Sequence, residues 1–318
     1  MRRIVITLIV IIPAFALAQQ DEQFTQFMHN RVFYNVGAAG TEDNICVSAF
    51  HRSQWVGFEG APITQNINIT APIKKLHGGV NLTITNDQIG FYSNFGASLG
   101  YSFNLNLGNG VLGIGAAGSF RSQSTNAGEW IPPDINRPFG NLDVALIATD
   151  ASGSMIDVNF GAYYRAANWW AGISSTRLIE ANTTVDGEFP VSGAATFGNF
   201  RHIYVMGGYS WAVPRSNWNI EPAFLLKMSN ASPTYDINVS GVYNNKIWGG
   251  VTYRNEDALA ALVGYQFTPS LKAGYSYDVG TSELASSAGG SHEIMVTYCF
   301  KIVVEPKIPP SNRNIRFL

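Results

Sequence analysis

The residues of this chain best able to do chemistry are five histidines, His29, His51, His77, His202 and His292, and two cysteines, Cys46 and Cys299. No pair of them has the spacing of a metal site, and the chain contains neither an HExxH nor a CxxC sequence. The expectation is therefore no metal, no cofactor and no enzyme. His51 could in principle activate a serine on a neighbouring strand, but no nucleophile motif accompanies it, and an interfacial histidine is the simpler reading. Charged residues make up 13% of the chain, about half the ~25% of an ordinary soluble domain. Lys+Arg 20 against Asp+Glu 22 leaves no basic excess to neutralise phosphates, which excludes a nucleic-acid binder. Low charge combined with 32 Gly, 19 Phe, 14 Tyr and 7 Trp fits strands that show lipid on one side.

The elements that must position these groups follow a period of two from Ile45 onward. Phe95, Ala97, Leu99, Tyr101 and Phe103 alternate with Asn94, Gly96, Ser98, Gly100 and Ser102, and Val80, Leu82 and Ile84 with Gly79, Asn81 and Thr83. About fourteen such segments are read, starting near Ile45, Pro62, His77, Phe91, Val111, Ser154, Asn168, Phe200, Asn217, Thr234, Lys246, Ala258, Leu271 and His292. A soluble sandwich would carry charge on its outer face, whereas here the polar parity is small and nearly neutral, as a lumen filled by Gly, Ser and Asn requires. The long connections, 122–153, 179–199 and 279–291, all follow odd-numbered segments, so they share one end of the structure. The fold class is an all-β, transmembrane antiparallel β-barrel of about 14 strands, of outer-membrane type.

The first residues, MRRIVITLIVIIPAFALAQQ, place Arg2 and Arg3 before an apolar run and Ala16-Leu17-Ala18 before Gln19, the pattern of a secretory signal peptide. Four regions follow: a signal peptide at 1–18, a periplasmic N-terminal segment at 19–44, the barrel at 45–301 and a periplasmic C-terminal tail at 302–318. Both termini are expected in the periplasm and the long loops outside the cell. The tail, with Lys307, Arg313 and Arg316, reads either as plain disordered chain or as a docking segment.

Closure makes the first and last strands neighbours, which brings Cys46 and Cys299 to the same end of the seam. A disulfide there suits an oxidising periplasm, and two unpaired small residues are the alternative; a Cα separation above about 7 Å would exclude the bond. Arg52, Arg121, Arg165, Glu221, Lys227, Arg254, Lys272 and Glu293 fall on the lumen parity. In a porin-like solute channel they would form a selectivity ring; in a closed barrel they would pair as structural salt bridges, the favoured reading because the signs are mixed.

Six stretches resemble, in order, the PorP/SprF family of Bacteroidota outer-membrane proteins: QFTQFMHNRVFYN at 23–35, RSQWVGFEGAPITQ at 52–65, GGVNLTITNDQIG at 78–90, RHIYVMGGY at 201–209, ALVGYQFTPSLKAGYSYD at 261–278 and SHEIMVTY at 291–298. The family's YNPAYAG-like stretch is YNVGAAG at 34–40, without the proline, so the N-terminal segment is expected to pack differently. The resemblance implies a non-enzymatic component of the type IX secretion and gliding machinery. Its implied partners are outer-membrane lipid, periplasmic ring proteins and a large surface adhesin, with no small-molecule substrate. In the second match, Trp55 and Phe58 stand in a Gly/Pro loop; they could anchor a partner, fold inward as a lid or sit in the aromatic girdle. Trp130, in the long connection 122–153, has the same three readings, and Lys307, Arg313 and Arg316 are the candidates for the periplasmic ring.

Overall fold

A computed structural model describes residues 22–125, 151–180, 183–185, 195–197, 199–229, 233–281 and 289–300. Fourteen strands form the wall: β1 (Ile45–Ser53), β2 (Ile63–Ile73), β3 (Gly78–Ile89), β4 (Tyr92–Leu107), β5 (Gly110–Thr125), β6 (Ala151–Arg165) and β7 (Trp169–Thr176) make one half. The other half is β8 (His202–Tyr209), β9 (Trp218–Met228), β10 (Thr234–Tyr243), β11 (Ile247–Arg254), β12 (Ala258–Gln266), β13 (Leu271–Gly280) and β14 (Ser291–Phe300). Each pairs antiparallel with its sequence neighbour, and β1 pairs with β14 from Ile45↔Phe300 to Ser53↔His292, so the sheet closes with no free edge. Every expected segment is present as a strand.

The alternation produces the wall as the pleat requires. On β6, Ile156 is 71% exposed while its neighbour Asp157 is buried, and exposed apolar residues such as Leu99 on β4, Ile173 on β7, Val251 on β11 and Val263 on β12 continue that outward face. Aromatic side chains gather at both rims, with Trp218 against Tyr243 (5.0 Å) and Tyr164 against Trp169 (4.8 Å) at one end. Tyr235 faces Tyr253 (6.3 Å) and Tyr277 faces His292 (5.0 Å) at the other. Two aromatic girdles around an apolar band are how a barrel sits in a bilayer. Among the described residues no helix is long and apolar enough to cross a membrane.

The connections 74–77, 108–109, 166–168, 210–217, 244–246 and 267–270 share one end, here called the short-turn end. The connection 244–246 places both Asn244 and Asn245 at positive φ (52° and 53°), the backbone of a hairpin turn whose twist matches the flanking strands. The connections 54–62, 126–150, 177–201 and 281–290 lie at the opposite, long-loop end, where Thr183–Val185 and Ala195–Phe197 form a small antiparallel ribbon.

The N-terminal segment departs from expectation. It does not stand outside the barrel: residues 22–44 occupy the lumen as a plug. Only short pieces of helix occur in it, Phe27–His29, Arg31–Tyr34 and Val36–Ala38, and no strand, so it carries no period for a sequence reading to detect.

Candidate functional site

The plug runs the length of the barrel. Glu22 lies 3.6 Å from Arg121 on the long-loop side of β5, and Thr41 and Glu42 meet Arg165 at the short-turn end of β6, just before β1 begins. The described chain thus starts in the long-loop half of the lumen and ends, at Phe300, at the short-turn end.

Near the long-loop end the plug is latched by ionised groups. The Glu293 carboxylate accepts the backbone N–H groups of Thr25 (2.7 Å) and Gln26 (2.9 Å). The Thr25 hydroxyl donates to Asp278 (2.7 Å), and the Arg52 guanidinium donates to Thr25 Oγ1 (2.8 Å), Asp278 (2.7 Å) and Glu293 (3.3 Å). Arg254 extends the network to Asp278 (3.4 Å), Asp257 (3.1 Å) and Asp236 (3.3 Å), and Lys227 completes it on Asp236 (3.0 Å). Arg52 is 1% exposed and Glu293 fully buried. Such a network gives little net stability over an apolar core, but losing one member strands a buried charge at a cost of about 3–5 kcal/mol.

Below the latch the plug meets an apolar interior that the sequence reading did not anticipate. Phe24, Phe27, Met28 and Tyr34 pack with Phe50, Met206, Leu225, Trp248, Leu262 and Met295, all on the lumen side of their strands. Burying each large side chain contributes about 1.5–3 kcal/mol. Phe24 stands edge-on to Phe33 (5.1 Å) and to Phe50 (5.5 Å), and Tyr34 to Tyr204 (5.3 Å). Asn30 joins a run of amides on β2, next to Phe50, accepting from Asn68 (2.6 Å) and donating to Asn66 (3.2 Å). The signal that could have found the plug is apolar residues on the polar parity, such as Phe50 between Ser48 and Arg52, or Met295 between Glu293 and Thr297.

Toward the short-turn end the plug lies backbone against backbone. Asn35 donates to the carbonyls of Ala162 (3.0 Å) and Ile173 (3.1 Å), and its Oδ1 accepts from the Gly37 N–H (2.9 Å). A Cβ on Gly37 would come within 2.8 Å of the Gly113 carbonyl oxygen, and one on Gly79 would strike the Cα of Gly40. These glycines are required by close approach. The YNVGAAG stretch supplies this seat.

Between the two ends, Arg31 stacks over Trp170 (4.6 Å to the ring centroid) and donates to the Met28 carbonyl (2.8 Å) and the Tyr163 hydroxyl (3.3 Å). Burial, then the nearby Lys272 and Arg31 charges, hold His29 well below the usual imidazole pKa, so the ring is neutral with Nδ1 3.4 Å from Lys272 Nζ. Burial pushes Glu42 up, but Arg31, Arg165 and Lys272 outweigh it and keep the carboxyl below its ordinary range.

Two cavities flank the plug. One, of about 100 Å³, lies between the plug and β3–β8 toward the long-loop end, lined by Glu22, Thr85, Arg121, Asp157 and Val32 among others. The second, of about 110 Å³, lies at the short-turn end between the plug and β1, β2, β13 and β14, lined by Arg31, Glu42, Thr70, Lys272 and Val32.

Of the residues singled out from sequence, Cys46 and Cys299 stand directly opposite one another across the seam, with Cα atoms 4.1 Å apart, and are joined as a disulfide. Arg52, Lys227, Arg254 and Glu293 belong to the latch, Arg121 and Arg165 pair with the plug's Glu22 and Glu42, and Glu221 accepts from Ser210 (2.9 Å). Asp236, Asp278, Glu22 and Glu42 are the partners that sequence reasoning missed. Trp55 is half-buried with φ 46°, and its N–H donates to Ser291 Oγ (3.2 Å); Phe58 is 52% exposed at the long-loop end. His51 faces outward with Nε2 3.2 Å from Ser53 Oγ, and among the described residues no acid contacts the imidazole. Trp130, Lys307, Arg313 and Arg316, the signal peptide and the C-terminal tail lie outside the described residues.

Comparison with known proteins agrees on the architecture. No curated protein matches the sequence. Among solved structures, the toluene transporter TbuX of Ralstonia pickettii aligns over 86% of this chain and 93% of its own, with a TM-score of 0.50 and 11% identity. Omp33 of Acinetobacter baumannii aligns over 83% and 100% (TM-score 0.43, 10% identity), and the translocator domain of the autotransporter NalP from Neisseria meningitidis over 87% and 95% (0.43, 11%). At such identities the TbuX likeness shows the outer-membrane barrel fold and nothing about cargo. The sequence from residue 16 to 298, nearly all of the wall and the whole plug, matches the family described as type IX secretion system membrane protein PorP/SprF, and the chain belongs to that family.

Proposed function

We propose that this type IX secretion membrane protein acts without catalysis, as a closed outer-membrane support for the secretion or surface attachment of a large adhesin. The observation that carries the reading is the family match over residues 16–298. The filled lumen supports it, because a barrel whose interior is a packed core serves better as a rigid mount than as a conduit. In this reading the long-loop end faces outward, where Trp55, Phe58 and Trp130 offer aromatic anchors to the cargo. The C-terminal tail, with Lys307, Arg313 and Arg316, reaches periplasmic ring proteins, and the outer face contacts lipid. The rival reading, a porin-like solute channel, has the plug against it.

The test is mild-detergent purification of the tagged protein from native outer membranes, with mass spectrometry of what stays bound. The proposal expects ring proteins or one giant adhesin. It also expects the Phe58→Ala variant to keep its fold while losing the adhesin. Recovery of the barrel alone, together with normal adhesin display in a deletion strain, would sink it.

A further inference from the structure

We propose that the lumen is two half-channels separated by a single aliphatic side chain, Val32, which holds back small hydrated ions. The two cavities approach from opposite ends of the barrel, and among the described residues Val32 is the one common to their linings. Its neighbours cannot move aside to cover for it. Arg31 is fixed by Trp170, Tyr163 and the Met28 carbonyl, and Phe33 is wedged between Phe24 (5.1 Å) and Tyr34 (4.9 Å). Asn81, Thr83 and Thr85 above and Ser48, Asn68 and Thr70 below give each approach a polar wall, which in the upper cavity stands beside Phe33, Tyr34 and Met155. Along that polar wall ions stay hydrated up to the constriction, where an aliphatic side chain offers nothing to replace the hydration shell. The lower cavity is lined by Arg31 and Lys272 against one carboxylate, Glu42, so the path prefers anions once opened.

The experiment uses the full mature chain in planar bilayers bathed in a KCl gradient. The native protein gives no resolvable steps. Val32→Gly gives discrete steps and a reversal potential displaced toward that of chloride, with an ion flux at least on the order of tenfold above the native background. Val32→Leu stays silent. A silent Val32→Gly protein that retains its heat-modifiable fold and its Cys46–Cys299 bond would overturn the proposal, as would a native protein that already conducts. Val32→Cys supplies a reading independent of any opened path, since both native cysteines are bonded. A small charged thiol reagent must label Cys at this position from either face of the membrane, and protection from one face would overturn the two-sided geometry.

Discussion

Between Phe24 and Asn30 the plug is held by side chains, charged and amide groups beside an apolar cluster, whereas between Asn35 and Gly40 it is held by main chain lying directly on glycine. The first seat includes two backbone N–H groups on Glu293, a threonine shared by Arg52 and Asp278, and a run of asparagines. In the second, Gly37 and Gly40 of the plug face Gly113 and Gly79 of the wall with no room for a methyl group. The first tolerates changes of shape but not the loss of one charge, which strands its buried partner. The second tolerates no change in volume, because backbone has no rotamers with which to give way. One fold thus contains a seat sensitive to charge and a seat sensitive to shape, joined by a single helical turn.

The largest effect should come from breaking the charged seat alone. Arg52→Met leaves the buried Glu293 without a cation and Asp278 with Arg254 alone, and the expected loss is about 3–5 kcal/mol of folded-state stability. Amide exchange should rise at residues 24–30 and stay slow at 35–40; equal loosening at both would show that the plug moves as one body. Next, replacing Cys46 and Cys299 by serine removes a bond between residues 253 apart in sequence, and chemical denaturation should reveal a loss of about 2–4 kcal/mol. Because that bond lies at the short-turn rim, the latch should remain intact. Gly79→Ala attacks the shape-sensitive seat, with an expected cost of about 1–3 kcal/mol and faster proteolysis of the plug around residues 36–41. A milder outcome than a surface glycine gives would break the distinction between the halves.

The smallest effect is a pH dependence located at the joint. Seated His29 has a depressed pKa, whereas in a withdrawn plug it titrates near the ordinary ~6.5. Above that value neither form is protonated and the seat is unaffected. As pH falls below it, the withdrawn form takes up a proton that the seated form refuses, and the seat weakens. Glu42, held below its ordinary range, adds stability that is present above that range and lost on further acidification. Plug protection should therefore fall from pH 7 to pH 4, and His29→Gln should remove the upper part of that fall.

The wall was legible because alternation and turn chemistry act locally. Thr234, Ala258 and Leu271 begin their strands where the alternation places them, and closure of an even-numbered barrel brings Cys46 opposite Cys299. The plug was not legible, since its helical pieces are three or four residues long and its contacts link residues as distant as Gln26 and Glu293. Its imprint was nonetheless there, in Leu225, Trp248 and Leu262 on a parity reserved for small polar residues. Lumen charges form ion pairs, but among the described residues only Arg52 and Glu293 of those named from sequence meet each other; the remaining carboxylates, Asp236 and Asp278 on the wall and Glu22 and Glu42 on the plug, needed three dimensions.

For anyone adding a handle to this protein, the direction of the plug makes the two ends unequal. A peptide fused after Phe300 continues from a strand at the short-turn rim and need not disturb anything inside. One fused just ahead of Glu22 starts instead in the opposite half of the lumen, beside Arg121 and a cavity of about 100 Å³. Short epitopes there report on that half of the lumen, whereas a bulky folded fusion does not fit within a cavity of that size.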